Sequence, residues 1–300
     1  MNKEKRNGII LALCGGIFWG LSGTVGSYIM SEQGIPAMQL SLIRLVAGGL
    51  LLVGLSFISY RENFVRLVKN RKDLIQTAVF GVCGLMTCQM TYLVTISYSN
   101  SGTATVLQYL GLVLLMLYTC YKEKRRPHVN ETLSLVLALF GAFVLVTHFS
   151  LSSISISTQG LIWGLASAVA LAVYTYLPGG LLREYGSVPV IGLGMLMGGI
   201  VVFFISGAWN YSWNFEPFTL LCLAFIVVVG TVLAFCLYLT GVAKIGAVMA
   251  GTIACVEPVS ATVCSVIIMH TSFGLFDIVG FVLILGAVLI LSLGKSEKKS

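Results

Sequence analysis

Long apolar runs separated by short polar breaks set the pattern of the chain. A helix needs about 20 apolar residues to cross roughly 30 Å of hydrocarbon. Ten runs reach that length: 8–30, 37–58, 73–95, 100–119, 131–149, 159–182, 188–208, 217–241, 246–269 and 273–293. Gly34 and Pro36 close the first, the polar stretch from Arg61 to Asp73 separates the second from the third, and Lys122 to Pro127 follows the fourth. The serine-rich stretch 150–157 follows the fifth. Ser97 to Gly102 and His270 to Phe273 are short enough to be tight turns, which makes the helices they join antiparallel neighbours. The expected fold class is an all-α membrane protein of ten transmembrane helices. The first run is too long for the apolar core of a signal peptide and is expected to stay as a span.

Charge gives the chain a direction. The predicted segments on one side of the membrane hold Lys3, Lys5 and Arg6, the group from Arg61 to Lys72, the group from Lys122 to Arg126, then Arg183, Lys244, and Lys295, Lys298 and Lys299. All but one of the 18 lysines and arginines therefore fall on that side, and the loops of the other side carry none. The exception, Arg44, lies within the second span. Basic loops stay in the cytoplasm, so both termini are expected there. Missing a single span would scramble this partition.

Sliding the chain on itself by 146 residues superposes Tyr92-Leu93 on Tyr238-Leu239, Ala104 on Ala250, Val113 on Val259 and Glu131 on Asp277. Pro36 and Pro189 also stand just before the second span of each half. Two repeats are expected, 1–149 and 150–300, with five spans each. Five is odd, so the second repeat would enter the membrane from the opposite face. Inverted repeats mark secondary transporters, whose site lies near the midplane between the halves.

Composition narrows the function further. With 57% hydrophobic and only 10% charged residues, the chain has too few solvated groups for a soluble surface, which is nearer a quarter charged. The net charge of +7 follows from the one-sided basic loops and does not call for nucleic acid. The eight cysteines lie mostly in apolar runs without metal-type spacing, and His128, His148 and His270 form no cluster. No metal or cofactor is expected, and no nucleophile-base pair or acid pair points to an enzyme. The expected partners are the lipid bilayer and a small-molecule substrate.

Within the spans, Glu257 is the one acidic residue placed deep. Such a group costs roughly 2.5–3.5 kcal/mol to insert, so it must face partners or water or carry a proton. It is a candidate for proton coupling, or equally a neutral acid bonded to backbone freed by Pro258. Pro258 is expected to kink its helix, and Pro178-Gly179-Gly180 is a second break. Arg44 lies roughly 10 Å below the outer end of its span. It is placed to bind a substrate carboxylate, to snorkel outward, or to fix a helix end by bonding carbonyls, the structural role being preferred. Polar and aromatic residues at helical spacing suggest cavity-facing stripes. These are Trp19 with Ser22, Gln89 with Tyr92, Ser101 with Thr105 and Gln108, Trp163 with Ser167 and Tyr174, and Thr231 with Tyr238. Most serines and threonines in such helices bond the preceding turn; an amide satisfies itself less easily, which favours Gln89 and Gln108. The fifth and tenth spans carry few polar residues and are expected at the periphery, against lipid or a second copy.

The set formed by Gly16-Ile17-Phe18-Trp19-Gly20, Arg44, Ala104-Thr105-Val106-Leu107-Gln108-Tyr109-Leu110 and Glu257-Pro258 resembles the EamA-type transporters of the drug/metabolite transporter superfamily, over nearly the whole chain. The resemblance implies movement of small metabolites such as amino acids without ATP hydrolysis, with export as the expected direction. One departure stands out: the first-half counterpart of Glu257-Pro258 is Gly111-Leu112, where the family often has proline, so the two halves need not bend alike. The alternative class is a channel, or a membrane receptor or structural protein, without saturable transport.

Overall fold

The computed structural model describes residues 3–99, 101–149, 157–213, 215–269 and 274–293. These residues are helical almost throughout, and no strand occurs among them. The helices are α1 (Lys3–Ser31), α2 (Ala37–Ser59), α3 (Arg61–Lys69), α4 (Arg71–Val79), α5 (Thr87–Tyr98), α6 (Ser101–Lys122), α7 (Val129–Thr147) and α8 (Thr158–Tyr176). They continue as α9 (Gly179–Tyr185), α10 (Ser187–Ile205), α11 (Pro217–Val227), α12 (Ala234–Ile245), α13 (Ala247–Ala254), α14 (Glu257–Met269) and α15 (Leu275–Leu293). Among the described residues, eight segments are long and apolar enough to cross a bilayer. Shorter apolar stretches, Val129–Val144 and Leu275–Ile290, lie in α7 and α15. The expected turn at His270 to Phe273 and most of the stretch 150–157 lie outside the described residues.

The residues from Arg61 to Asp73 depart from expectation. They form helix, not a loop: α3 buries Phe64 and Leu67 one turn apart and turns Arg61, Arg66 and Lys69 outward. Asn70 then caps α4, its side-chain oxygen accepting from the backbone N–H groups of Lys72 (3.2 Å) and Asp73 (3.4 Å).

Two spans are regular in hydropathy but not in hydrogen bonding. The backbone widens to π-helix at Phe80–Met86, between α4 and α5, and again at Val228–Leu233, between α11 and α12. The 146-residue shift carries Val82 onto Val228, so the two widenings fall at matching places. Such a widening frees carbonyls, and threonines take them up five residues back: Thr87 Oγ1 donates to Val82 O (2.8 Å) and Thr231 Oγ1 to Ile226 O (3.0 Å).

Proline acts more strongly than a kink in the ninth span. Helix α13 stops at Ala254, Cys255 and Val256 turn, and α14 starts anew at Glu257. Pro258 falls in the first turn of α14, where its missing N–H breaks no helical bond. Pro178 separates α8 from α9 in the same way. By contrast α6, which carries Gly111-Leu112, runs unbroken.

The tightest packing joins the first 149 residues to the rest: α2 lies on α10, α7 on α15, α1 on α12, α13 and α14, and α8 on α5 and α6. Helices α7 and α15 start with the same device. Glu131 accepts the backbone N–H of His128 (3.1 Å), and Asp277 accepts that of Gly274 (2.7 Å). Each carboxylate thereby ties a free donor at a helix start.

Candidate functional site

The break in the ninth span is held against α1 by two glycines. A Cβ on Gly16 would meet Val256 Cγ1 at 2.9 Å and Ala254 O at 3.0 Å, and one on Gly20 would collide with Ser260 Oγ and the Glu257 carbonyl. Helix α1 therefore rests directly on the turn that opens α14. Beside this contact lies a cavity of about 80 Å3, room for roughly two or three water molecules.

The cavity brings together most of the residues read from the sequence. Trp19, Arg44, Gln89, Tyr92, Gln108, Tyr174, Tyr238 and Glu257 all line it. Two do not. Pro258 borders a neighbouring crevice, and Trp163 lies on α8 eleven residues before Tyr174, about 16 Å away along the axis. Ser101 belongs to the residues whose side chains are not described.

Aromatic rings form one wall. Trp19 packs on Phe235 (5.0 Å between centroids) and Tyr238 (4.8 Å), and Tyr174 on the same two rings (5.9 and 6.1 Å). Polar groups face it in two states of completion. Gln108 Nε2 donates to Ser167 Oγ at 2.7 Å, and Tyr92 and Thr105 join their hydroxyls at 3.0 Å. Gln89 is 6% exposed, yet neither its amide nitrogen nor its oxygen has a hydrogen-bond partner among the described residues; the Trp19 indole Nε1 is likewise buried and unpartnered. Native proteins rarely leave such groups unsatisfied, because each costs roughly 1–3 kcal/mol.

Two ionisable side chains complete the lining. Arg44 donates through Nε to Thr231 Oγ1 (3.0 Å) and through an Nη to Gly230 O (3.1 Å), a carbonyl inside the second π-helical segment. Its guanidinium thus braces irregular backbone while bordering the cavity. Glu257 accepts a hydrogen bond from Tyr109 Oη at 3.3 Å. Tyr109 was missed in the sequence, although it follows Thr105 by one helical turn; Phe235 and Cys88 also line the cavity unforeseen.

The cavity communicates unequally with its two sides. A crevice of about 240 Å3 shares Gly23, Tyr92 and Glu257 with it and runs past Thr24, Ser27 and Ser31 to Glu32. Toward the basic end lies a vestibule of about 530 Å3, bordered by Gln76, Thr119, Lys122, Arg125 and Arg183. Vestibule and cavity share no lining residue. Tyr238 Oη meets Thr175 Oγ1 between them (3.4 Å), and Leu112 presses on Gly251. At the vestibule rim Arg125 bonds both carboxylate oxygens of Glu131 (2.8 and 3.0 Å) and Glu123 (2.6 Å). The Glu131 bonds, reinforced by Glu123, hold its guanidinium above its ordinary range despite partial burial.

Comparison with known proteins places this architecture. The model of the EamA-like transporter family matches twice, at residues 6–147 and 158–293. The chain is 37% identical over 293 residues to the uncharacterized inner membrane transporter YicL of Salmonella typhimurium, covering 98% of this chain and 97% of that one. It is 22% identical over 294 residues to the uncharacterized transporter YwfM of Bacillus subtilis, covering 97% and 95%. A solved crystal structure shares the fold with a TM-score of 0.79 at 15% identity, over 94% of this chain and 95% of that one.

Proposed function

The chain belongs to the EamA-like transporter family, and on that footing we propose that it is a secondary transporter carrying a small metabolite through the central cavity by alternating access. It is a multi-pass cell-membrane protein. The observation that carries the reading is the set of unsatisfied polar groups on the cavity wall. The Gln89 amide and the Trp19 indole are buried without partners among the described residues, beside an aromatic wall, a carboxylate and a guanidinium. A bound solute completes those hydrogen bonds. A lining of amides and rings with one group of each charge suits a zwitterionic or weakly polar molecule such as an amino acid, and the direction proposed is export.

The proposed architecture has ten spans in two inverted repeats, 1–149 and 150–300, with both termini in the cytoplasm. Supporting it are the double match of the family model, the π-helical segments at matching positions, the paired carboxylate caps and the packing of each half on the other. In this scheme the crevice toward Glu32 is the outer path, and the Tyr238–Thr175 contact is the closed inner gate. The carboxylate of Glu257 borders both crevice and cavity and bonds Tyr109, a placement that suits a proton-coupling group.

Counterflow of labelled amino acids in proteoliposomes tests the reading, with saturable exchange expected. A flux that rises linearly with concentration assigns a channel, and no saturable flux across a broad panel sinks the proposal. The substitution Glu257→Gln should abolish the pH dependence of transport while leaving the protein in the membrane. Unchanged pH dependence would assign Glu257 to structure alone.

A further inference from the structure

A separate concavity opens sideways between α6 and α8. It measures about 240 Å3 and is walled by Leu114, Tyr118, Val169, Val173, Tyr176 and Leu177. Leu114, Tyr118 and Val169 are 42%, 48% and 54% exposed, which in a membrane protein means exposed to lipid. At its polar end Lys122 Nζ stands 5.2 Å above the Tyr176 ring, which packs edge-on against Tyr118 at 4.8 Å. Lys122 also lines a hollow at the end of α6, together with Lys124, Arg125 and Arg126; Lys124 and Arg126 share its charge. Their neighbour Arg125 is neutralised by Glu123 and Glu131, but these three have no carboxylate within 4 Å among the described residues.

We propose that this groove is a binding site for an acidic phospholipid, with one acyl chain between α6 and α8 and the phosphate held by Lys122, Lys124 and Arg126. An apolar slot that ends on uncompensated cations matches a molecule with an acyl tail and an anionic head. A zwitterionic lipid would fill the slot but bring its own cation beside the phosphate, and basic pockets between membrane helices hold acidic headgroups for this reason. Lys122, Tyr176 and Leu177 also border the basic vestibule, so the lipid forms part of its side wall.

Native mass spectrometry and thermal unfolding of the purified full chain test the site, with phosphatidylglycerol against phosphatidylcholine. Phosphatidylglycerol should be retained preferentially and raise the melting temperature more. The exposed triple variant K122Q/K124Q/R126Q should weaken its retention by roughly tenfold or more, with unchanged melting in phosphatidylcholine. Val173→Trp, which fills the slot and leaves the cations in place, should also lose it. Glycerol 3-phosphate should neither stabilise nor compete. Equal retention of the two lipids overturns the proposal, as does a triple variant that keeps the preference, or glycerol 3-phosphate reproducing the stabilisation.

Discussion

Replacing Gly20 by alanine tests how closely α1 must lie on the break in the ninth span. The added methyl would collide with the Ser260 hydroxyl and with the carbonyl of Glu257. Backbone cannot rotate away as a side chain can, so the two helices must part. Overpacking of this kind costs about 1–3 kcal/mol, against which the better helix propensity of alanine returns up to about 1 kcal/mol. Gly54 on α2 is the matched control, being exposed with nothing within 4 Å of its Cβ position. Gly54→Ala keeps the propensity gain without the clash, so the two variants should differ by about 1–3 kcal/mol in unfolding in detergent. Transport by the Gly20 variant should fall further than its stability, because the opened seam runs beside Glu257. Adding Ser260→Ala removes one of the three close contacts, leaving those with the Glu257 carbonyl and the Ala261 backbone nitrogen, and should restore part of both. If Gly20→Ala unfolds with Gly54→Ala and Ser260→Ala changes nothing in its background, α1 does not bear on the break as described.

Gln89→Leu removes an amide that has no hydrogen-bond partner among the described residues, so stability should hold or rise. If substrate completes that amide, apparent affinity should fall by roughly tenfold or more, read as KM in counterflow; a falling melting temperature with unchanged KM would make Gln89 structural. Arg44→Gln takes two donors from Thr231 and Gly230 and should cost about 1–3 kcal/mol in unfolding. Arg44→Lys should rescue it poorly, since one ammonium cannot repeat the forked geometry; full rescue would refute the bracing role. Asp277→Asn strips the charge from a carboxylate that bonds both Gly274 N (2.7 Å) and His148 Nε2 (2.9 Å). A loss of about 0.5–2 kcal/mol is expected, with transport kinetics unchanged because α15 stands away from the cavity.

Much of the bundle could be read from hydropathy, because crossing a membrane imposes a length on every span. The cavity lining was legible for a related reason: Gln89, Gln108 and Glu257 are costly in an apolar run unless something meets them. Local hydrogen-bond geometry was not legible. The π-helical segments keep the apolar composition of their neighbours, so nothing in Phe80–Met86 or Val228–Leu233 announces a wider turn. Pro258 was read as lying mid-helix, whereas a new helix begins one residue before it. Trp163 shares a stripe with Ser167 and Tyr174, but spacing fixes a face and not a depth, and Trp163 lies too near the end of α8. The charged run from Arg61 to Asp73 hid Phe64 and Leu67, a spacing too short to register as a span yet sufficient to fold α3.

The contrast between an unbroken α6 and a ninth span cut in two has a thermodynamic consequence. Halves of identical stiffness would make the outward-facing and inward-facing forms equal in free energy, and an empty carrier would divide its time evenly. In the alternating-access scheme proposed above, a severed helix in one half alone would make the exchange uneven, and each 1.4 kcal/mol of difference would shift the resting populations tenfold. Apparent affinity measured from the disfavoured side is then lowered by the fraction of molecules waiting there. Under that scheme the break before Pro258, set against Gly111-Leu112 in an unbroken α6, would bias the side on which the unloaded carrier rests.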